Sequence, residues 1–212
     1  MKTCYIACAL DCKIQIDAKA DDLIIGADRG YFTLVENDIL PQVAIGDFDS
    51  YTGEIKCDNT IVFPVKKDDT DSALAIEYAI KNGFEKIVVF GGIGGDLDHT
   101  IANISLVAKY TKMGIDISFI HNDKVLFAVC NSSVSFKSEA KGRISVFSFG
   151  DKAKGVNESG LLYTLENAVL ENCVPLGVSN EFIGEEATIS VEDGILLLYT
   201  SRENFEKYLT RA

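Results

Sequence analysis

The chain changes its pattern once, near residue 122, and that change limits its fold more than any other feature. Before it, short apolar runs alternate with helix-like segments. Thr3–Leu10, Leu23–Ala27, Gln42–Ile45, Thr60–Phe63, Lys86–Phe90 and Ile115–Ile120 read as strands. Between them Ala73, Ile76 and Ile80 recur at i, i+3, i+7, as do Ile101, Ile104 and Ala108, the spacing of helices with one apolar face. Thr70 stands where it can cap the first helix, Asn82-Gly83 ends it, and Met113-Gly114 ends the second. Strand–helix–strand alternation predicts a parallel sheet covered by helices.

After residue 122 the segments Val125–Val129, Val134–Lys137, Arg143–Phe149, Ala187–Val191 and Ile195–Thr200 are short and β-branched or aromatic-rich. Gly, Asn, Asp and Ser punctuate them, and no helix pattern intervenes before the C-terminal tail. A small antiparallel sandwich or barrel reads this way. The boundary falls at His121-Asn122-Asp123. The expected architecture is therefore α/β plus all-β: a Rossmann-like parallel-sheet domain over 1–122, then an antiparallel β-sandwich over 123–212.

Lys and Arg number 20 against 32 Asp and Glu, a net charge of −12. A broadly negative surface argues against nucleic-acid or anionic-membrane partners and favours cationic or neutral ligands, or anions that arrive with a divalent metal. Six Cys without a C-x-x-C pair, and only two His, argue against zinc. Cys4, Cys8 and Cys12 share a four-residue spacing, which reads as a Cys-rich apolar strand. The N-terminus lacks the form of a secretory signal, and no segment approaches the ~20 apolar residues that span a bilayer. The expectation is a cytoplasmic protein with reduced thiols.

Chemically able residues gather at four strand ends of the first half. They are Ala27-Asp28-Arg29-Gly30, Gly46-Asp47-Phe48-Asp49-Ser50, Lys66-Lys67-Asp68-Asp69-Thr70-Asp71 and the glycine-rich Gly91–His99. Ligands of open α/β sheets bind outside the carboxyl ends of strands, so these stretches can share one crevice. Asp47 and Asp49, two residues apart in an extended segment, point to one side and can converge on a hard cation, with Asp71 completing the set. Gly91, Gly92, Gly94 and Gly95 allow close approach of backbone N–H groups to a phosphate ahead of a helix N-terminus. Asp96 and Asp98 suit a metal–nucleotide complex, a ribose or a cation better than bare phosphate. His99 reads as an acid–base group or a cap, and Lys66 and Lys67 as phosphate contacts or solvated lysines.

Taken in series, Gly46-Asp47-Phe48-Asp49-Ser50, Lys67-Asp68-Asp69-Thr70-Asp71 and Gly91-Gly92-x-Gly94-Gly95-x-x-Asp98-His99…Asn103 resemble the thiamin pyrophosphokinase family. Gly160-Leu161-Leu162-Tyr163-Thr164-Leu165 and Gly177-Val178-Ser179-Asn180-Glu181-Phe182 look like that family's thiamin-binding motifs. The resemblance implies that ATP and thiamin give thiamin diphosphate and AMP with Mg2+, in a homodimer with sites at the subunit interface. It implies Asp47, Asp49 and Asp71 as metal and catalytic carboxylates, with Asp28 as a further catalytic acid. For ATP it implies Lys67, Asp68, Thr70, Gly91, Gly92, Gly94, Gly95, Asp98 and His99, to which Arg29 is added on its own charge and place; for thiamin it implies Tyr163, Ser179 and Asn180.

Three positions depart from the family pattern. Asp96 stands where Arg is usual, Arg29 where Gly is usual, and the first strand runs into Cys8-Ala9-Leu10-Asp11 without an Asn-Gly turn. Arg29 is expected to supply the positive charge missing at 96. Either Asp71 or Asp28 would orient or deprotonate the thiamin hydroxyl. Competing readings are a non-catalytic thiamin or nucleotide sensor, and a metal-dependent pyrophosphokinase or phosphohydrolase with another substrate.

Overall fold

A computed structural model describes residues 1–48, 55–57, 59–64 and 69–211. In chain order the elements are β1 (Thr3–Ala7), β2 (Leu23–Ala27), α1 (Gly30–Glu36), β3 (Val43–Gly46), β4 (Asn59–Val62), α2 (Asp71–Lys81), β5 (Lys86–Phe90), α3 (Leu97–Lys112) and β6 (Asp116–His121). They continue with β7 (Lys124–Cys130), β8 (Ser133–Phe136), β9 (Arg143–Ser159), β10 (Leu165–Glu171), β11 (Asn180–Glu181), β12 (Ala187–Ser190), β13 (Asp193–Ser201) and β14 (Leu209–Arg211). Strands are both parallel and antiparallel, and helices are few. Two compact units form, one from residues 1–106 and 114–122, the other from 107–113 and 123–212. No helix among the described residues is long and apolar enough to cross a membrane.

In the first unit the strands lie in the order β4-β3-β2-β1-β5-β6, and each pairs with its neighbours in parallel. Central parallel strands are covered on both faces, and their sequences are accordingly continuous apolar runs. Ile6, Ile25, Ile45 and Ile87 are fully buried, together with Leu34 of α1 and Ile76 of α2. β4 is the exposed edge and carries Asn59 and Thr60.

Local signals set most helix ends. Thr70 accepts a hydrogen bond from the Ala73 N–H, at 3.3 Å, as N-cap of α2. Gly83 and Gly114, both at positive φ, close α2 and α3. The apolar face expected for α3 is displaced: Ile101 is exposed, while Asn103, Val107, Ala108 and Tyr110 are buried. α1 has no clear apolar period over its seven residues and is absent from the sequence reading.

In the second unit every strand pair is antiparallel. β9 is the organiser. It was expected to end at Phe149 but runs on to Ser159, bending at Gly150 and Gly155, which both take positive φ. Its first half pairs with β13 and β11, and its second half with β10 and β12. A π-helical turn spans Asn204–Tyr208.

Glycine is required where α1 meets the end of β1. A Cβ on Gly30 would lie 1.9 Å from the Ala7 carbonyl oxygen and 2.3 Å from its carbon, and backbone in a central strand has no room to yield. Gly30→Ala is therefore expected to destabilise the protein by at least ~2 kcal/mol in urea unfolding, in the upper part of the range for overpacked sites. An unchanged midpoint would show that α1 can move away from β1 freely.

Candidate active site

A parallel sheet opens a crevice where the connections on either side of one strand wind in opposite directions. β1 is that strand, since the chain passes from it to β2 on one side and β5 occupies the other. A cavity of about 260 Å³ lies there. Cys8, Ala9 and Leu10 line it from the end of β1, Ala27 and Asp28 from the end of β2, and Gly91, Gly92 and Asp96 from the loop after β5. Thr70, Asp71 and Ser72 reach it from the start of α2, and His99, Thr100 and Asn103 from α3.

A buried polar chain holds these elements together. The Ser72 hydroxyl donates to Asn103 Oδ1 at 2.8 Å, and Asn103 Nδ2 donates to the Gly92 carbonyl at 2.5 Å. With its one proton committed to Asn103, Ser72 accepts from the Thr70 hydroxyl, 3.0 Å away. The N-terminus of α2, the body of α3 and the loop after β5 are thereby tied together. Asp71 begins α2, where the helix dipole favours negative charge.

Asp28 and Asp71 are half-buried, whereas Asp96 and His99 are exposed. Asp28 adopts a left-handed φ of 48°, and its N–H donates to the Ile45 carbonyl at 2.7 Å, fixing its backbone over the end of β3. Burial, then the nearby Cys12 and Asp71 charges, push the Cys8 thiol up to about 12, so it stays protonated and is no nucleophile at neutral pH.

Close packing accounts for three of the loop glycines. A Cβ would fall 2.3 Å from the Leu10 carbonyl oxygen at Gly91, 2.6 Å from the Phe119 ring at Gly92 and 2.4 Å from the Leu10 side chain at Gly95. The Gly91 N–H donates to the Ile120 carbonyl and the Gly94 N–H to Thr100 Oγ1, so two loop amides already have protein acceptors.

A second cavity, of about 510 Å³, shares Ala9 and Asp28 with the first and is otherwise lined by Arg29, Phe32, Val35, Glu36 and Phe48. Arg29 reaches Asp11 across 3.6 Å, both side chains being largely exposed. Asp47, half-buried after β3, lines neither cavity, nor do Gly94, Gly95 and Asp98. Asp98 instead accepts a hydrogen bond from the His99 N–H at 2.8 Å. Asp49, Lys67 and Asp68, with Ser50 and Lys66, lie outside the described residues. Among the described residues no group of three or more His, Cys, Asp or Glu is placed to hold a metal ion.

In the second unit Tyr163 is 68% exposed and Ser179 is exposed at a left-handed φ of 59°, while Asn180 is buried. Ser72, Thr100 and Phe32 are site residues that charge and spacing did not single out, and Asn103 stood in the sequence only as the last residue of the motif that begins at Gly91. The i, i+3 spacing of Thr100 and Asn103 places both on one face of α3 and could have found Thr100.

The description "Thiamin pyrophosphokinase, catalytic domain" matches residues 16–119, and "Thiamin pyrophosphokinase, vitamin B1 binding domain" matches residues 132–196. The Thiamine pyrophosphokinase of Bacillus subtilis is 33% identical over 189 residues, covering 85% of this chain and 88% of that protein. The chain belongs to the thiamin pyrophosphokinase family. The crystal structure of the Bacillus subtilis protein aligns with a TM-score of 0.82 at 28% identity, over 95% of this chain and 99% of that one. The Geobacillus thermodenitrificans structure aligns at 0.81 and 27%, over 95% and 97%. Family membership supports thiamin pyrophosphokinase activity, and hence an enzyme.

Asn103 offers the sharpest local test. Asn103→Ala leaves the Gly92 carbonyl and the Ser72 hydroxyl without their partner, an expected loss of about 1–3 kcal/mol in chemical unfolding. Turnover should fall as well, because the loops of the cavity are no longer tied together. Wild-type stability and turnover would mean that the three elements are held by other contacts.

Proposed function

We propose that this chain transfers the diphosphoryl group of ATP to the hydroxyl of thiamin, giving thiamin diphosphate and AMP. The observation that carries this reading is the convergence of Asp28, Asp71 and the α2 N-terminus on one cavity at the β1 switch point, in a chain of this family. The first unit, as a Rossmann-like domain over 1–122, serves ATP. The second, as a β-sandwich over 123–212, serves thiamin.

Diphosphoryl transfer needs the attacking hydroxyl, the β-phosphorus and the leaving AMP held in line, with charge on the phosphoryl oxygens neutralised. The donor chemistry suits Mg2+: Asp28 and Asp71 offer hard carboxylate oxygens at the cavity, and the neighbouring Cys8 stays a neutral thiol and adds no soft ligand. Asp47 and Asp49 would join Asp71 in holding the ion, which supplies charge neutralisation when bound. Asp71 or Asp28 accepts the hydroxyl proton.

The helix start at Thr70 and Asp71, with the Gly91–Gly95 loop, Asp98 and His99, forms the nucleotide side, and Lys67 and Asp68 extend it. Arg29, paired with Asp11, is close enough to the second cavity to meet a phosphate or ribose there. Tyr163 presents an exposed aromatic face suited to the thiamin cation, and Ser179 is exposed in the second motif. A homodimer with sites shared between subunits is part of the same reading. So is a cytoplasmic location, which cysteines that form no disulfide with one another suit.

Incubation with ATP, Mg2+ and thiamin should yield AMP and thiamin diphosphate in equal amounts, with AMP strictly dependent on thiamin. AMP release without thiamin would point to a phosphohydrolase, and no turnover to a sensor. Asp71→Asn should lower turnover at least ~100-fold with the fold retained, since charge stabilisation in the transition state is lost. Near-normal turnover in folded Asp71→Asn would remove that carboxylate from the mechanism.

Shared sites have their own test. Mixing Asp71→Asn chains with Tyr163→Ala chains should regenerate activity once subunits exchange. Demonstrated exchange without recovery would place each site within a single chain.

A further inference from the structure

Glu158 stands near the end of β9, opposite Ile189 of β12 and Leu165 of β10, and is only 2% exposed. Its Oε2 accepts from Asn180 Nδ2 at 3.0 Å, while its Oε1 is buried with no hydrogen-bond partner among the described residues. A carboxyl so placed is costly, and an apolar side chain between those neighbours would cost less. Its value to the protein must lie in what it holds.

What it holds is the Asn180 amide. Asn180 Oδ1 accepts from the Tyr163 N–H at 3.0 Å and the Glu181 N–H at 2.9 Å, while Nδ2 donates to the Tyr163 carbonyl at 2.7 Å as well as to Glu158. Both backbone polar groups of Tyr163 are thus gripped by one side chain. The grip extends along the two segments through a bridge between Leu161 and Phe182 and a bond from the Leu162 N–H to the Glu181 carbonyl. On the other side, Ser179 is fixed by its N–H donating to Ser145 Oγ at 3.0 Å. With all four of these bonds internal, Asn180 acts on a ligand through its neighbours.

We propose that Glu158 is a positioning residue for thiamin: it orients the Asn180 amide so that Tyr163 and Ser179 are presented together. The proposal rests on the reading that these two segments bind thiamin. The Glu158 oxygen accepts this bond, so the NH2 end of Asn180 faces it, which leaves the oxygen end for the Tyr163 and Glu181 amides. Without that acceptor one amide proton is buried unpartnered, and the grip on Tyr163 loosens.

The test compares the Michaelis constants for thiamin and ATP in Glu158→Leu, Glu158→Gln, Asn180→Ala and Tyr163→Ala. Glu158→Leu should raise the thiamin KM at least about tenfold, the size of one buried donor left without its acceptor, while kcat and the ATP KM stay within about threefold. Glu158→Gln, whose amide oxygen still accepts from Asn180, should recover most of the loss. Where Glu158→Leu does not fold, Asn180→Ala cuts the same clasp from the other side and should give the same thiamin-selective loss.

An unchanged thiamin KM in a folded clasp variant overturns the proposal, as does an equal loss for both substrates or a folded Gln variant no better than Leu. Tyr163→Ala separates the two levels of the argument. If it leaves the thiamin KM unchanged, the thiamin site itself lies elsewhere. If it raises that KM and the clasp variants do not, only the role of Glu158 fails.

Discussion

The backbone leaving β1 is enclosed so tightly that the remainder of the first unit has to be arranged around it. Gly30 abuts the Ala7 carbonyl, Gly91 abuts the Leu10 carbonyl, and Gly95 packs on the Leu10 side chain. Pairing continues past the strand ends, with the Cys8 N–H donating to the Phe90 carbonyl and the Leu10 N–H to the Gly91 carbonyl. A strand buried on both faces cannot shift to relieve these contacts, because its neighbours are close-packed. Side chains at its carboxyl end are therefore held to a definite geometry, which suits a reaction that depends on positioning.

Polar order at the cavity follows the same logic. Ser72 and Asn103 are buried, so each must find partners inside the protein, and the partners available belong to different elements. Satisfying them ties α2, α3 and the loop after β5 to one another. The carboxylates of Asp28 and Asp71 are left half-buried, shielded enough for strong electrostatic action and open enough to meet a ligand. The second unit repeats the device with Asn180, whose amide closes two segments onto each other and leaves the Tyr163 ring exposed.

Net charge adds a longer-range effect. At −12 the protein attracts a cation such as thiamin and repels free ATP, so a divalent metal that partly neutralises the triphosphate also eases its approach.

Features decided within a few residues were legible in the sequence. Apolar runs located β1, β2, β3 and β5, because strands buried on both faces need continuous apolar sequence. Thr70, Asn82 and Gly83 marked the ends of α2, because caps satisfy local backbone groups. The motifs at residues 46–50, 67–71, 91–103, 160–165 and 177–182 were legible as a series, and they named the family. Tertiary structure alone decided which of these residues meet. Strand order placed the switch at β1 and so brought Asp28 and Asp71 together, while Asp47, one strand further out, lines neither cavity. It also turned Asn103 rather than Ile101 inward on α3, carried β9 through a glycine bend that reads as a turn, and buried Asn180 beneath the residues it supports. The reason is common to all four. Each is settled by contacts between segments far apart in the chain, whose energies no local window of sequence contains.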